Sequence, residues 1–424
     1  MQSVHIYGAG FVGITLAGHF LRVSKYEVFL VEKEVGVIEK IRNGNIPVYE
    51  PGLKQLIHDG IVSGRLHLQS LDEVTSVYIA FICISTPKNV VQNPIISLAQ
   101  ELVPVLAPGA SIFIRSTCVI GSSQELSNIL ERLNRDDVDV YNAPERTAEG
   151  VAMQELIELP QLLGARDSSS LSKGSGILQD LGFGVIVSGS WSEVEMAKLL
   201  CNVWRDYSFA FANEAALLGE RHFIDVLKVI SIANYKYKRA GIPQPGPVGG
   251  PCLSKDTYLL VNQEVLSNSL FLHSRELNEH YLEAIVGEIL SFAKEGAFSR
   301  ILLAGIAFKG QPPTNDFRNS LGMSLLESLP KIFPSIEIAY WDELIDLPDY
   351  KRVFSLERFL SNQSKTLIII CNYNPKFVQN LESLSNLLLD SNQLFQIFDA
   401  AANISKAPLT QVSRVFGAPR GISC

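Results

Sequence analysis

Val4-His5-Ile6-Tyr7 runs directly into Gly8-Ala9-Gly10-Phe11-Val12-Gly13, and the small-residue stretch Ile14–Leu21 follows. A G-x-G-x-x-G pattern alone constrains little. Here it lies between a β-prone run and a helical one. A second apolar run, Tyr26–Val31, then ends at Glu32, an acid 19 residues past Gly13. That context predicts a βαβ unit of the dinucleotide-binding kind. Glycines at these places let the main chain approach a pyrophosphate, which rests on the N-terminus of the following helix. Gly8, Gly10 and Gly13, with Phe11 and Val12 between them, are candidate cofactor residues. Glu32 is expected to accept a hydrogen bond from an adenosine ribose hydroxyl. A carboxylate there repels a 2′-phosphate, so the cofactor reading is NAD.

Further strands follow. Val77–Ile84 is a continuous apolar run, as a buried parallel strand requires. It ends in Ser85-Thr86-Pro87, at the carboxyl edge where open α/β sheets bind ligands. Ser111–Arg115 ends in Ser116-Thr117, and Val138–Asn142 ends in Ala143-Pro144-Glu145-Arg146-Thr147-Ala148-Glu149-Gly150. Glu145 and Glu149 read either as carboxylates that stabilise a helix start or as site groups. The polar, proline-bearing loop Asn45–Leu53 carries no chemistry through its spacing alone. Val185–Ser188 is expected to close the first sheet.

Ser192–Leu218 is glycine-free and apolar-periodic, and reads as one helix. A helix of that length bridges domains or forms a dimer core. Lys198 and Asn202 share one of its faces by their i, i+4 spacing; Glu195, three residues before Lys198, offers a plain surface ion pair as the alternative. Asn234-Tyr235-Lys236-Tyr237-Lys238-Arg239 interleaves cations with aromatics, and faces either phosphates or solvent. Then comes Gly246-Pro247-Val248-Gly249-Gly250-Pro251-Cys252-Leu253-Ser254-Lys255-Asp256. Glycine permits close approach and positive φ, and proline stiffens the turn. Such a loop holds one thiol rigidly with an amine and a carboxylate just behind it, and a nearby cation favours the reactive thiolate. The competing reading is a loop that ends in a small buried hydrophobe.

Past further helices, Arg300–Ala304 opens a second strand-loop pattern, Ala304-Gly305-Ile306-Ala307-Phe308-Lys309, then Thr314–Ser320 ahead of a helix. Strand-like runs at Ile336–Trp341, Leu367–Cys371 and Leu394–Phe398 follow, the last reaching Asp399. The predicted fold class is α/β: two Rossmann-like parallel-sheet domains joined by a long central helix. The expected divisions are an NAD-binding domain at 1–190, a central helical dimerisation domain with the cysteine loop at 191–294, and a smaller Rossmann-like domain at 295–424.

With 424 residues, 47% hydrophobic and 19% charged, the chain has the core of a folded protein of two or three domains. A net charge of −8 disfavours nucleic acid and anionic membranes as partners. Six widely spread cysteines form no C-x-x-C pair or framework, which suggests reduced, cytoplasmic usage. No Cys/His cluster suggests a metal site. The first strand begins too early for a signal peptide, and no apolar run reaches a membrane-spanning length.

Taken in order, these motifs resemble the nucleotide-sugar 6-dehydrogenases, the family of UDP-glucose and UDP-N-acetylhexosamine dehydrogenases. The resemblance covers essentially the whole chain. It rests on the glycine-rich start, P-V-Y-E-P-G-L at 47–53, S-T-P at 85–87, S-T at 116–117, P-E-R at 144–146 and K-x-x-x-N at 198–202. It also rests on G-G-P-C-x-x-K-D at 249–256, A-F-K at 307–309 and N-D-F-R-N-S at 315–320. It implies a dimer formed through the long helix and a C-terminal domain that grips a UDP-sugar. It further implies a doubled oxidation of the sugar's C6 alcohol through a thiohemiacetal and a thioester on Cys252. By residue matching, Lys198 and Asn202 stabilise charge on the C6 oxygen. Asp256 orders water or relays a proton, Glu145 is the base for thioester hydrolysis, and Thr117 positions water. Ser85, Thr86, Pro87, Thr117, Glu149, Lys255 and Arg318 are expected near NAD. Glu145, Arg146, Lys198, Asn202, Gly246, Val248, Gly249, Phe308 and Lys309 are expected to bind the sugar nucleotide.

The chain departs from the family pattern in places. Cys118-Val119 replaces the usual Val-Pro after S-T. Val37 stands where a basic residue often follows the ribose-binding acid. Lys236, Lys238 or Arg239 stands in for a substrate-contacting arginine. Arg146 is a feature of the N-acetylhexosamine branch, whereas Lys255-Asp256 is a feature of the glucose branch. UDP-glucose is the main reading of the substrate, with a UDP-N-acetylhexosamine or another nucleotide sugar as the alternative. A two-electron enzyme of the hydroxyacid or 6-phosphogluconate type, and a non-catalytic nucleotide-sugar-binding protein, are the competing functional classes.

Overall fold

The structure, a computed structural model, describes residues 3–23, 26–88, 93–261, 268–361, 364–384, 395–401 and 412–417. The chain divides into two compact units, Met1–Cys201 with Tyr258–Val265, and Asn202–Thr257 with Leu266–Cys424.

In the first unit the described strands are β1 (Ser3–Tyr7), β2 (Glu27–Val31), β3 (Leu66–Gln69), β4 (Val77–Ile82), β5 (Leu106–Ile114), β6 (Asp139–Asn142), β7 (Gln161–Ala165) and β8 (Ile186–Ser190). They form one sheet in the order β3-β2-β1-β4-β5-β6-β7-β8. The first six lie parallel, and β7 joins β6 antiparallel through Asn142 and Gly164. The order reverses between β1 and β4, so a crevice opens at their carboxyl ends. The helices are α1 (Phe11–Val23), α2 (Val35–Arg42), α3 (Leu53–Val62), α4 (Pro94–Leu102), α5 (Ser122–Arg132), α6 (Ala152–Glu158) and α7 (Ser168–Asp180).

Alternation along the strands decides which side chains cover which face. Ile82 and Ile112 belong to one core, while Phe81, Phe113 and Tyr141 turn to the other. These three rings are in register on β4, β5 and β6, with centroids 4.8 and 4.6 Å apart. Each such fully buried ring contributes about 1.5–3 kcal/mol over exposure.

The long helix α8 (Trp191–His222) exceeds the predicted Ser192–Leu218 at both ends. Its residues through Cys201 belong to the first unit, and those from Asn202 onward to the second. The second unit continues with α9 (Val226–Asn234), the start of α10 (Leu253–Val261) and α11 (Leu270–Glu295). Its sheet contains β9 (Arg300–Ala304), β10 (Glu337–Trp341), β11 (Thr366–Ile370), β12 (Phe395–Asp399) and β13 (Val412–Val415), with α12 (Leu321–Ile332), α13 (Leu356–Leu360) and α14 (Pro375–Ser383). All pairs are parallel in the order β10-β9-β11-β12-β13, and the reversal falls between β9 and β11.

The predicted strand Leu394–Phe398 is seen as β12; Leu394 and the sixth cysteine, Cys424, lie outside the described residues. β3, β7 and β13 had no strand expectation. β3 and β13 are only four residues long, and β7 includes Gly164, which breaks the apolar pattern. Among the described residues no helix is long and apolar enough to cross a membrane.

Candidate active site

The glycines of the first unit build a cradle after β1. A Cβ on Gly13 would stand 1.8 Å from the Gly8 carbonyl oxygen, so only glycine lets α1 begin so close to β1. Around Gly10 nothing lies within 4 Å of where a Cβ would be, which leaves room for a phosphate against the backbone. A cleft of about 580 Å³ opens here, lined by Gly8, Gly10, Glu32, Ile84 and Ser85, with Leu71 and Leu98 supplying apolar surface. Glu32 accepts from Ala9 N at 2.9 Å and from Glu34 N at 3.2 Å, which fixes its carboxylate at the rim. These residues fit NAD. Phe11 and Val12 form the first turn of α1 and are half-buried. Ser85 and Pro87 are exposed at the end of β4, while buried Thr86 donates to the Thr117 carbonyl at 2.7 Å. The S-T-P and S-T motifs are therefore joined in one place.

Glu145 follows β6 and is buried. Arg115, fully buried, forms an ion pair with it and also donates to Gln161 at 2.9 Å. The carboxylate accepts from Arg146 N at 2.7 Å and Thr147 N at 2.9 Å. Burial pushes Glu145 up. The charge of Arg115 and the two backbone donors outweigh this and hold it below the usual carboxylate range. Arg146 turns its guanidinium to the Pro160 carbonyl. Glu149 is half-buried. Beneath this segment Glu50, buried, accepts from Gly150 N and from Ala152 N at 2.9 Å. The loop read as carrying no chemistry thus clamps the segment that carries Glu145 and Glu149.

Glu195 does not make the surface ion pair offered for it. It is buried and accepts from Gly121 N at 2.6 Å, Ser123 N at 2.8 Å and Ser123 Oγ at 2.7 Å, at the first turn of α5. It ties α8 to the loop that carries Thr117. Lys198 is left buried, and among the described residues no ion pair is formed by its amine. Asn202 follows one turn later on the same face of α8.

In the second unit, the cysteine loop packs against the segment between β9 and α12. A Cβ on Gly249 would meet the Asn319 carbonyl oxygen at 2.3 Å, and one on Gly250, whose φ is +88°, would meet the Phe308 ring at 2.9 Å. Gly250 N donates to the Arg318 carbonyl at 3.0 Å. Two adjacent glycines are what this contact demands. Cys252 is exposed immediately before α10, so the buried-hydrophobe reading is wrong. Its carbonyl accepts from Lys255 N and Asp256 N, which starts the helix. Asp256 is buried and accepts from Asn202 Nδ2 at 2.6 Å. Its Oδ1 has no hydrogen-bond partner, although the Lys255 amine lies 3.9 Å away. Cys252, Lys255, Asp256 and Asn202 therefore meet in one unit. Val248 is buried, and Gly246 N and carbonyl are both held by Asn213.

Phe308 and Lys309 are half-buried, with the Lys309 amine 5.6 Å from the Phe308 ring centre. Lys309 lines a hollow with Ala307, Thr314, Asp342 and Asn372 at the carboxyl ends of the second sheet. Arg318 is exposed and paired with Asp316. The cations and tyrosines at 235–239 are exposed. Of the residues that hold this site, Glu50, Arg115, Asp206, Asn213, Arg275 and Asn278 were not singled out from sequence. Glu50 and Arg115 lie within or beside motifs; the other four gave no local signal.

Residues 2–181 match the model of the UDP-glucose/GDP-mannose dehydrogenase family NAD-binding domain, and residues 192–280 match that family's central domain. The chain is 28% identical over 349 residues to the UDP-N-acetyl-D-mannosamine dehydrogenase of Escherichia coli (strain K12), covering 77% of this chain and 82% of that one. It is 28% identical over 386 residues to the protein of that name from Methanococcus vannielii, covering 88% and 87%. The solved structure of UDP-D-ManNAc dehydrogenase from Pyrococcus horikoshii superposes with a TM-score of 0.82 at 25% identity, over 98% of this chain and 99% of that one. A UDP-glucose dehydrogenase from Pyrobaculum islandicum shares the fold, with a TM-score of 0.78 at 21% identity over 99% and 98%. The cradle after β1 accordingly has a cofactor and the chain a kinship: it belongs to the UDP-glucose/GDP-mannose dehydrogenase family, as an NAD-dependent nucleotide-sugar dehydrogenase.

Proposed function

We propose that this enzyme oxidises C6 of a UDP-N-acetylhexosamine, UDP-N-acetylmannosamine foremost, to the uronic acid in two NAD-dependent steps through a covalent adduct on Cys252. The chemistry rests on one observation: Cys252 is exposed ahead of α10, and Asp256 behind it is buried against Asn202. The choice of sugar rests on relatives named for UDP-N-acetyl-D-mannosamine and supports the alternative over UDP-glucose. Arg146, a feature of the N-acetylhexosamine branch, supports the same choice, and the Lys255-Asp256 pair favours UDP-glucose.

NAD, when bound, accepts the hydride in each oxidation. Lys198 and Asn202 stabilise the negative charge that develops on the C6 oxygen. The amine of Lys198 is well suited to this, being buried without an ion pair among the described residues. The Cys252 thiolate then forms a C–S bond to the aldehyde carbon, and the oxygen takes the electron pair and a proton. This splits a difficult oxidation into easier steps. After the second hydride leaves, a water adds to the thioester carbon, the C–S bond breaks and the thiolate departs. Asp256 Oδ1, without a hydrogen-bond partner, receives the water's proton. Glu145, ionised beside Arg115, is a second carboxylate suited to take the water's proton, the role expected of it from the family resemblance. Thr117 orients the water.

Trp204, Phe211 and Leu218 recur every seven residues on α8 and are exposed. That apolar stripe supports a homodimer through this helix.

The test is a panel of UDP-N-acetylmannosamine, UDP-N-acetylglucosamine, UDP-glucose, UDP-galactose and GDP-mannose with NAD, reading NADH. Two NADH per UDP-N-acetylmannosamine are expected. One NADH per sugar removes the covalent route, and faster turnover of UDP-glucose removes the substrate assignment.

A further inference from the structure

Behind the cysteine loop lies a buried polar frame that none of the roles above uses. Asp206 stands one turn past Asn202 on α8 and is 1% exposed. Its Oδ1 accepts from Arg275 at 2.7 Å and from Asn278 Nδ2 at 2.9 Å, and its Oδ2 accepts from Thr257 Oγ1 at 3.4 Å. Asn278 Nδ2 also donates to the Asp206 carbonyl at 2.9 Å, and Asn278 Oδ1 accepts from Asn213 at 2.8 Å. Asn213 grips Gly246 at both backbone groups, at 2.8 and 3.1 Å. Arg275 reaches the Leu253 carbonyl at 3.4 Å, and its Nε faces Glu279 at 3.5 Å. Asn213, Thr257, Arg275 and Asn278 are at most 2% exposed.

The two ends of this frame fall on either side of Cys252. Gly246 is held six residues before it; Leu253 and Thr257 are held one and five residues after it. A buried ion pair is a poor source of stability, because desolvation offsets most of its attraction. What it supplies is a fixed geometry, and here the geometry fixed is that of the thiol and of Asp256, the neighbour of Thr257. We infer that Asp206, braced by Arg275 and Asn278, is a positioning residue that sets the Cys252 loop and the first turn of α10 for capture of the aldehyde. The inference rests on the covalent reading of Cys252 proposed above.

The frame acts on the thiol, so its loss slows the second oxidation more than the first. The test uses the full-length enzyme with UDP-N-acetylmannosamine, NAD and hydroxylamine to trap released aldehyde. The variants are Asp206→Asn and the double variant Asp206→Asn/Arg275→Gln, which leaves no unpaired buried charge and so keeps folding measurable. Uronate formation is expected to fall about 100-fold, as a displacement near 1 Å costs. NADH per sugar should drop from two toward one as the oxime accumulates, and KM for NAD should stay within about twofold of the parent, since the NAD cleft lies in the other unit. Thr257→Ser, which keeps the hydroxyl, should retain the rate; Thr257→Val should lose it.

Wild-type uronate rates in the folded double variant overturn the inference. So does an equal loss of both oxidations with two NADH per sugar, which is the mark of general destabilisation. Cys252→Ser in parallel separates this from the parent reading. If that variant forms no uronate while the Asp206 variants behave as wild type, the frame alone fails. If it still forms uronate at the parent rate, the covalent reading fails and the inference with it.

Discussion

Asn202 Nδ2 donates to Asp256 Oδ2 at 2.6 Å, and both side chains are buried. The bond joins the middle of α8 to the first turn of α10, four residues after Cys252. It occupies one carboxylate oxygen and leaves Oδ1 with no hydrogen-bond partner. Buried polar atoms are nearly always satisfied. On the reading proposed above, that oxygen is the one that takes the proton of the attacking water.

Asp256→Asn keeps the size of the side chain and removes its basicity. Turnover should fall about 10²–10⁴-fold, the usual contribution of a positioned acid–base group. KM for the sugar nucleotide should change little, because the group is needed only as charge moves. Steady-state kinetics decides this. A variant with raised KM and intact kcat would show that Asp256 holds the substrate and transfers no proton.

The Lys198 amine makes a complementary case. Lys198 as a residue is 8% exposed, and among the described residues its amine has no acid paired with it. On the role proposed for it at the C6 oxygen, Lys198→Ala should depress kcat far more than it raises KM, since the cation is then most needed as that oxygen becomes anionic. Single-turnover measurement of the first NADH isolates that step. A variant that altered only apparent affinity would assign Lys198 to ground-state binding.

Much of this site was legible because glycine and helix periodicity leave local marks. The cradle at Gly8, Gly10 and Gly13 is a requirement of backbone approach, and the face shared by Lys198 and Asn202 follows from the helical repeat. The ion-pair alternative for Glu195 fails because it rests on a local mark alone. Its helical neighbour Lys198 is visible in sequence, whereas its real partner, Ser123, lies 72 residues away. Asp206 and Asn213 sit on the same helix, but Arg275 and Asn278 complete them from 65 or more residues on. Glu145 is legible as a candidate, because it follows a strand end. Its fixed ionisation is not, because it depends on Arg115 from the preceding strand end.

That pair carries its own prediction. Arg115 is fully buried beside Glu145, and removing one partner strands the other's charge. Arg115→Met should destabilise the first unit by about 3–5 kcal/mol. Arg115→Met/Glu145→Gln should recover most of that loss without restoring turnover if the fixed negative charge matters. Denaturant unfolding of wild type, single and double variants forms the cycle. Additive losses would mean that the pair is not coupled.

Gly249 and Gly246 should separate packing from binding. A Cβ on Gly249 would lie 2.3 Å from a backbone oxygen, which has no flexible end to swing aside. Gly249→Ala should therefore cost about 1–3 kcal/mol of stability through overpacking. Around Gly246 nothing lies within 4 Å of the added carbon, so Gly246→Ala should leave thermal stability unchanged. If this stretch borders the sugar nucleotide, the same methyl should raise KM for the substrate. Equal stability loss in both variants would overturn the distinction.

Glu50 predicts a pH effect of a particular sign. Burial raises its carboxyl from 4.5 to about 7, against the opposing donors at Gly150, Ala152 and Met153. Between those values the folded protein keeps a proton that the unfolded chain has released, so stability falls as pH rises through the window and levels off above it. Glu145 acts in another window and with the opposite sense: its lowered carboxyl supports the fold above 4.5, and that support is lost as pH falls further. Glu50→Gln cannot ionise, so it should flatten the decline between pH 4.5 and 7 while leaving the acid limb intact. Thermal unfolding of both proteins at half-unit steps from pH 4 to 8 measures the difference. Parallel curves across that range would mean that Glu50 is ionised throughout, and that the clamp on the Glu145 segment is a charged one.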